Sequence, residues 1–170
     1  MTDVVLGIDP QSSRLGLALV ELAAPHRALW ADTVSIDRKD GGWQYEQVTE
    51  ALDLRIYSLE NGQHMARIGI EEPPYVNNHR VYRGISVVFG LVGAECHRRW
   101  PDAPQISCGV GTWKKAVLGK GTASKDDVMA WADGAYTFKV DGDPPSLAQD
   151  SADALAIATY AAQVELREAA

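Results

Sequence analysis

Residues 4–8 read VVLGI, apolar at every position rather than at every second one. A strand with one face in water alternates apolar and polar side chains, so an unbroken run of this length predicts a strand covered on both faces. Residues 16–20 (GLALV) follow after a short polar turn and predict its hairpin partner. Two such strands need further strands beside them and helices packed above and below.

The rest of the chain supplies those elements. ALWADTVSI (28–36) predicts a third strand, and from Trp43 to Leu59 the residues Tyr45, Val48, Leu52, Ile56 and Leu59 recur at helical spacing, closed by Asn61-Gly62. RIGIEE (67–72) predicts a fourth strand, Val81 to Arg99 a long helix and Gln105 to Val110 a fifth strand. The remainder reads as helical apart from a loop rich in Gly, Pro and Asp at 137–149. The expected fold is therefore α/β, a five-stranded mixed sheet in the order β-β-β-α-β-α-β-α with helices on both faces. With 170 residues, 46% of them hydrophobic, a single domain spanning 1–170 is expected. The start of the chain, MTDVVLGIDP, has no basic region followed by an apolar one, and no run of eighteen apolar residues occurs, so a cytoplasmic protein with no membrane partner is expected. Cys96 and Cys108 stand in no metal-ligand spacing and read as buried thiols.

The net charge of −7 argues against a polyanionic partner, but its distribution argues for one. Residues 1–72 carry a net −6, residues 73–125 a net +6 and residues 126–170 a net −7. From Ala103 to Lys125 there is no acid at all, while Lys114, Lys115, Lys120 and Lys125 fall in that stretch. Arg80 and Arg83 open the long helix in the same basic island, which suits phosphate contact.

Three sets of acids close apolar elements. Asp9 ends the strongest strand signal, at the edge of the sheet where ligands bind, although Asp-Pro is also a common turn. Glu71 and Glu72 end the fourth strand ahead of Pro73-Pro74, and strand parity does not choose between them. Asp150 and Asp153 open the apolar helix DSADALAIA on one face, a spacing that by itself also reads as a capping box. Gathered in one cleft, such carboxylates repel one another unless a cation intervenes, and an all-oxygen set suits Mg²⁺ or Mn²⁺ rather than zinc.

GIDPQSSRLGLALV (7–20), IGIEEP (68–73), WKKAVLGKGTASKDDV (113–128) and DSADALAIA (150–158) resemble, in order and spacing, the motif regions of the RuvC-type Holliday-junction resolvases, members of the RNase H-like nucleases. The resemblance implies an RNase H-like fold and four metal-binding catalytic acids, Asp9, Glu71, Asp150 and Asp153. It implies basic active-site residues at Lys114 and Lys125, and two-ion phosphodiester hydrolysis with Mg²⁺, for which Mn²⁺ would substitute, giving 5′-phosphate and 3′-hydroxyl ends. Its substrate would be branched DNA, above all four-way junctions, with Tyr75 as the nearest counterpart of an aromatic that probes the junction. Other RNase H-like nucleases, which cut flaps or RNA–DNA hybrids, share such acids, and a junction-binding protein with little cleavage is disfavoured by the complete set of four. Two departures mark a divergent member: Gln11 stands where the family pattern continues GIDPG, and Pro73-Pro74 precede Tyr75. Paired cuts in a four-way junction call for a two-fold dimer, and the helix at 81–96, apolar nearly all round and rich in Gly, is the expected homodimer interface.

Overall fold

The computed structural model describes residues 2–36, 44–56, 62–138 and 147–170. Six strands form one sheet in the order β5-β4-β1-β2-β3-β6. They are β1 (Thr2–Pro10), β2 (Arg14–Glu21), β3 (Ala24–Ser35), β4 (Gln63–Glu71), β5 (Gln105–Cys108) and β6 (Thr137–Phe138). The helices are α1 (Gln44–Ile56), α2 (His79–Arg99), α3 (Val110–Leu118), α4 (Lys125–Ala135) and α5 (Gln149–Glu168). The hairpins β1–β2 and β2–β3 are antiparallel, and β4 joins β1 in parallel, so the sheet is mixed. The five expected strands are present. The two-residue β6 adds a short sixth at the edge, beside β3, at the start of what read as a loop. Trp43, Leu59 and Asn61 lie outside the described residues, as do 139–146 of that loop.

The apolar runs have the two-sided cover they demanded. Val4, Leu6 and Ile8 of β1, with Leu15, Leu17 and Leu19 of β2 and Ile68 and Ile70 of β4, pack with α1 and α2 on one face. Val5, Ala18 and Val20 turn to the other face, where α3, α4 and α5 cover them. Leu155 and Ile157 of α5 are fully buried there, and each contributes about 1.5–3 kcal/mol on burial.

Helix α5 lies unusually close to the sheet, and both partners explain it. On the helix the facing residues include Ala154, Ala158 and Ala161; on the sheet they are Gly16, Gly7 and Gly69, one each from β2, β1 and β4. A Cβ at Gly7 would fall 2.1 Å from the Ala154 carbonyl oxygen, and one at Gly16 would fall 2.0 Å from the Asp150 carbonyl oxygen. No side chain fits at either position. The far end of α5 is held by Arg67 of β4, a buried guanidinium that donates to Glu165 at 2.6 Å and to Glu168. On the opposite face Glu95 of α2 is buried and accepts from Arg98 and Arg99, and Arg99 reaches Asp53 of α1 at 2.5 Å.

Helix α2 turns Ile85, Val88, Val92 and Cys96 inward. Val81 and Tyr82 are exposed near its start and Val87 on the side away from the core, so no described residue covers these three side chains fully. Cys96 and Cys108 are free and buried, as expected. No described helix is long and apolar enough to cross a membrane.

Candidate active site

The strand pleat decides between Glu71 and Glu72. On β4, Arg67 and Gly69 face α5, so Glu71, two residues on, faces it too and is 8% exposed. Glu72 is exposed. On β1 the same alternation carries Gly7 and then Asp9 to the α5 face. Asp9 is 2% exposed and sits within the strand opposite Gly16, not in a turn after it. Parallel pairing of Ile8 with Ile70 places Asp9 and Glu71 one step further along adjacent strands. Because Gly16 also touches the Asp150 backbone, the start of α5 comes down on this same edge.

The capping reading of Asp150 and Asp153 is overturned. The helix begins at Gln149, Ala148 is its N-cap, and no side chain caps it. The two aspartates lie one and four residues inside α5. A complete capping box does occur, at Ser124 and Asp127 of α4. There it gives physical content to the GKGTASKDD stretch: Gly119, at φ 77°, ends α3 in the left-handed region, a short turn follows, and Ser124 starts α4 with Lys125 as its first residue.

Each of the four acids is hydrogen-bonded by a donor of its own. Gln11 Nε2 donates to Asp9 Oδ1 at 2.8 Å, Trp113 Nε1 to Glu71 Oε2 at 2.6 Å, Gln149 Nε2 to Asp153 Oδ1 at 3.1 Å, and Arg14 Nε pairs with Asp150 Oδ2 at 2.9 Å. Burial pushes the Asp9 carboxyl well above its usual range, helped by the charges of Glu71, Asp153 and Asp150 and opposed by Gln11. Glu71 is pushed up to about 7, chiefly by burial and also by Asp153, against the Trp113 N–H and Lys114. Burial raises Asp153 as well, with Gln149, Lys114 and Lys125 opposing and Asp150 adding to it. The four acids thus repel one another at a single desolvated edge.

Among the described residues no three His, Cys, Asp or Glu side chains form a ready metal cage. The donor chemistry nevertheless fits a hard divalent cation: four carboxylates, no thiolate or imidazole, and a repulsion that a cation would relieve.

Lys114 belongs to this group. It is half-buried, its Nζ donates to the Ala123 carbonyl at 2.8 Å and lies 5.4 Å from the centre of the Trp113 ring, and its charge opposes protonation of Glu71 and Asp153. Lys125 is exposed and its charge reaches Asp153. Lys115 and Lys120 are exposed on and just beyond α3, and Lys120 acts on Asp127 rather than on the four acids. Tyr75 is 85% exposed, so its ring is open to solvent. Arg80 and Arg83 are exposed near the start of α2, where Asn78 caps the helix by accepting from two backbone N–H groups. A Cβ at Gly84 would lie 3.4 Å from the Ser12 Cβ, so this end of α2 rests against the β1–β2 turn.

Sequence reasoning assigned no role to Trp113, Arg14 or Gln149. The available signal for Trp113 was its place immediately before Lys114; for Arg14 and Gln149, whose partners are set by the packing of α5, none existed.

No family model matches the chain. It is 28% identical over 168 residues to the crossover junction endodeoxyribonuclease RuvC of a Nitratiruptor species, covering 96% of this chain and 98% of that protein. It is 32% identical over 160 residues to the enzyme of the same name from Leifsonia xyli subsp. xyli, covering 93% and 73%. Among solved structures, T. thermophilus RuvC in complex with Holliday junction substrate matches with a TM-score of 0.71 at 24% identity, over 92% of this chain and 91% of that one. The yeast mitochondrial Holliday junction resolvase Ydc2 matches with a TM-score of 0.61 at 14% identity, over 96% and 82%. The expected α/β fold, of RNase H-like type, is the fold these structures share with the chain.

Proposed function

The chain belongs to the RuvC family of crossover junction endodeoxyribonucleases, and from that premise we propose that it is a structure-selective endonuclease that resolves four-way DNA junctions by paired, metal-dependent hydrolysis. The observation that carries this reading is the meeting of Asp9 and Glu71, from adjacent strands, with Asp150 and Asp153, from the start of α5, at one buried edge. These four residues would hold the cations, Mg²⁺ by preference and Mn²⁺ in its place. Two bound ions would supply Lewis acidity, lowering the pKa of an attacking water and stabilising the leaving 3′-oxygen. Products would carry 5′-phosphate and 3′-hydroxyl ends.

The chain's own groups do the rest. Lys114, pinned by Ala123, and Lys125 offer positive charge to the phosphoryl oxygens as negative charge grows there. Lys115, Lys120, Arg80 and Arg83 hold backbone phosphates without reading sequence. Tyr75 offers a ring on which an unstacked base can rest, worth about 1–3 kcal/mol. Two cuts require two sites, and the exposed apolar residues of α2, Val81, Tyr82 and Val87, mark the helix through which two chains pair. In this reading residues 1–170 form one nuclease domain that acts in the cytoplasm.

The test compares a four-way junction, a linear duplex, a flap and an RNA–DNA hybrid, each with and without Mg²⁺. Paired nicks in the junction are expected, dependent on Mg²⁺ and abolished in Asp9→Asn and Asp153→Asn. Preference for the hybrid or flap, or full activity in either variant, would refute the proposal.

A further inference from the structure

Trp113 is fully buried on α3, yet its polar atom does not point into the apolar core. The indole N–H donates to Oε2 of Glu71, the last residue of β4, at 2.6 Å. The geometry points to Trp113 as a positioning residue for metal binding: by claiming one oxygen of Glu71, it fixes the carboxylate and leaves Oε1 as the oxygen a cation would take. The inference rests on the proposed role of Glu71 as a metal ligand.

The chemistry of the indole suits that role. It donates one hydrogen bond and accepts none, so it can neither ligate the ion itself nor compete with it as a cation would. It is rigid and locked on all sides, by the cluster that includes Leu155 and Ile157 of α5 and by the Lys114 ammonium over its ring. A flexible donor would lose part of its bond energy in ordering itself; this one is held before any ligand arrives. Its register follows from the fold, since Cys108 of β5 pairs with Glu71 and α3 begins two residues later. Partners behind a metal ligand typically change affinity by ten- to a hundredfold when removed.

The substitution Trp113→Phe keeps an aromatic ring and removes only the N–H. Binding of Mn²⁺ to the DNA-free protein is to be followed by electron paramagnetic resonance, with wild type and Asp9→Asn as references and circular dichroism to verify the fold. In Trp113→Phe the Mn²⁺ affinity is expected to fall roughly tenfold or more, and the Mn²⁺ concentration for half-maximal junction nicking to rise in step. Wild-type Mn²⁺ affinity in the folded variant overturns the inference. So does a loss of nicking that is the same at every metal concentration, which is what a purely structural tryptophan would give. If wild type itself binds no Mn²⁺, the metal-dependent reading of the site falls, and this inference falls with it; the two failures are therefore distinct.

Should Trp113→Phe not fold, wild-type protein labelled with ¹⁵N-tryptophan supplies the answer. Of its five tryptophans, the one whose indole resonance moves in Glu71→Gln identifies Trp113. That resonance is expected to shift on titration with Mg²⁺ alone, and its failure to move overturns the inference.

Discussion

Replacing Gly16 by alanine adds one methyl group that neither carries charge nor moves a proton, and it tests how tightly the start of α5 is fixed. The new Cβ would stand 2.0 Å from the carbonyl oxygen of Asp150, 2.5 Å from its carbonyl carbon and 3.1 Å from its Cβ, where ordinary contact begins at 3.4 Å. Backbone atoms cannot rotate out of the way as a side chain can, so the end of the helix must retreat by roughly one ångström or more, taking Asp150 and Asp153 with it. Overpacking of this kind costs about 1–3 kcal/mol of stability, while a misplacement of about 1 Å at reacting groups costs about a hundredfold in rate. Gly69→Ala is the matched control. Its Cβ would meet the Ala161 Cβ at 2.9 Å and the Ile157 Cγ2 at 3.0 Å, farther along the same helix from its first turn. Urea unfolding and single-turnover nicking of a four-way junction, both at saturating Mg²⁺, should show a stability loss in both variants, the larger in Gly16→Ala, and a large rate loss in Gly16→Ala alone. Equal rate losses, or a wild-type rate in Gly16→Ala, would refute the claim that this contact sets the position of the α5 acids.

Other expectations follow from the charges and surfaces. Because burial raises Asp9 and Asp153 and pushes Glu71 up to about 7, the folded state favours protonated acids that the unfolded chain ionises freely. Stability in EDTA should therefore fall as pH rises from about 5 through 7, the reverse of a salt-bridged carboxylate, and Mg²⁺ should narrow the gap; calorimetry at pH 6 and pH 8 checks both, and an unchanged melting temperature in EDTA counts against it. By the same logic Asp9→Asn should melt higher than wild type in EDTA at pH 8 while nicking nothing, and a lower melting temperature would contradict the proposed repulsion. Burial pushes the Cys96 and Cys108 thiols up to about 12, so iodoacetamide at pH 8 should modify neither until urea unfolds the chain, as read by mass spectrometry. Val87, 45% exposed on the side of α2 away from the core, should when changed to Glu turn a dimeric mass in light scattering into a monomeric one, with the melting temperature little altered.

The parts of the fold that were legible in the sequence are those written in local pattern. The unbroken apolar runs of β1 and β2 required cover on both faces, and the helical spacings between the strands supplied it. What was not legible depends on partners distant in the chain. The glycines that receive α5 are spread over three strands, so no single window reveals them. Strand parity left Glu71 and Glu72 open and only the resemblance named Glu71; which of them faces α5 follows from the pleat of β4, disclosed by the contacts of Arg67 and Gly69 with that helix. Asp150 and Asp153 read as a cap because their spacing is that of a capping box; the start of the helix at Gln149 moves both inside it. Trp113 stands beside Lys114 in the sequence, but its hydrogen bond joins residues 42 apart.

The contact between Gly84 and Ser12 joins the acid site to the helix proposed for pairing. Ser12 follows Gln11, whose amide holds Asp9, while Gly84 lies on the helix through which two chains would meet. A partner pressing on α2 would therefore push towards the loop beside Asp9, across a space that one methyl group would fill. With the pairing proposed above, the approach of one subunit would be felt at the acid site of the other by way of Ser12 and Gln11.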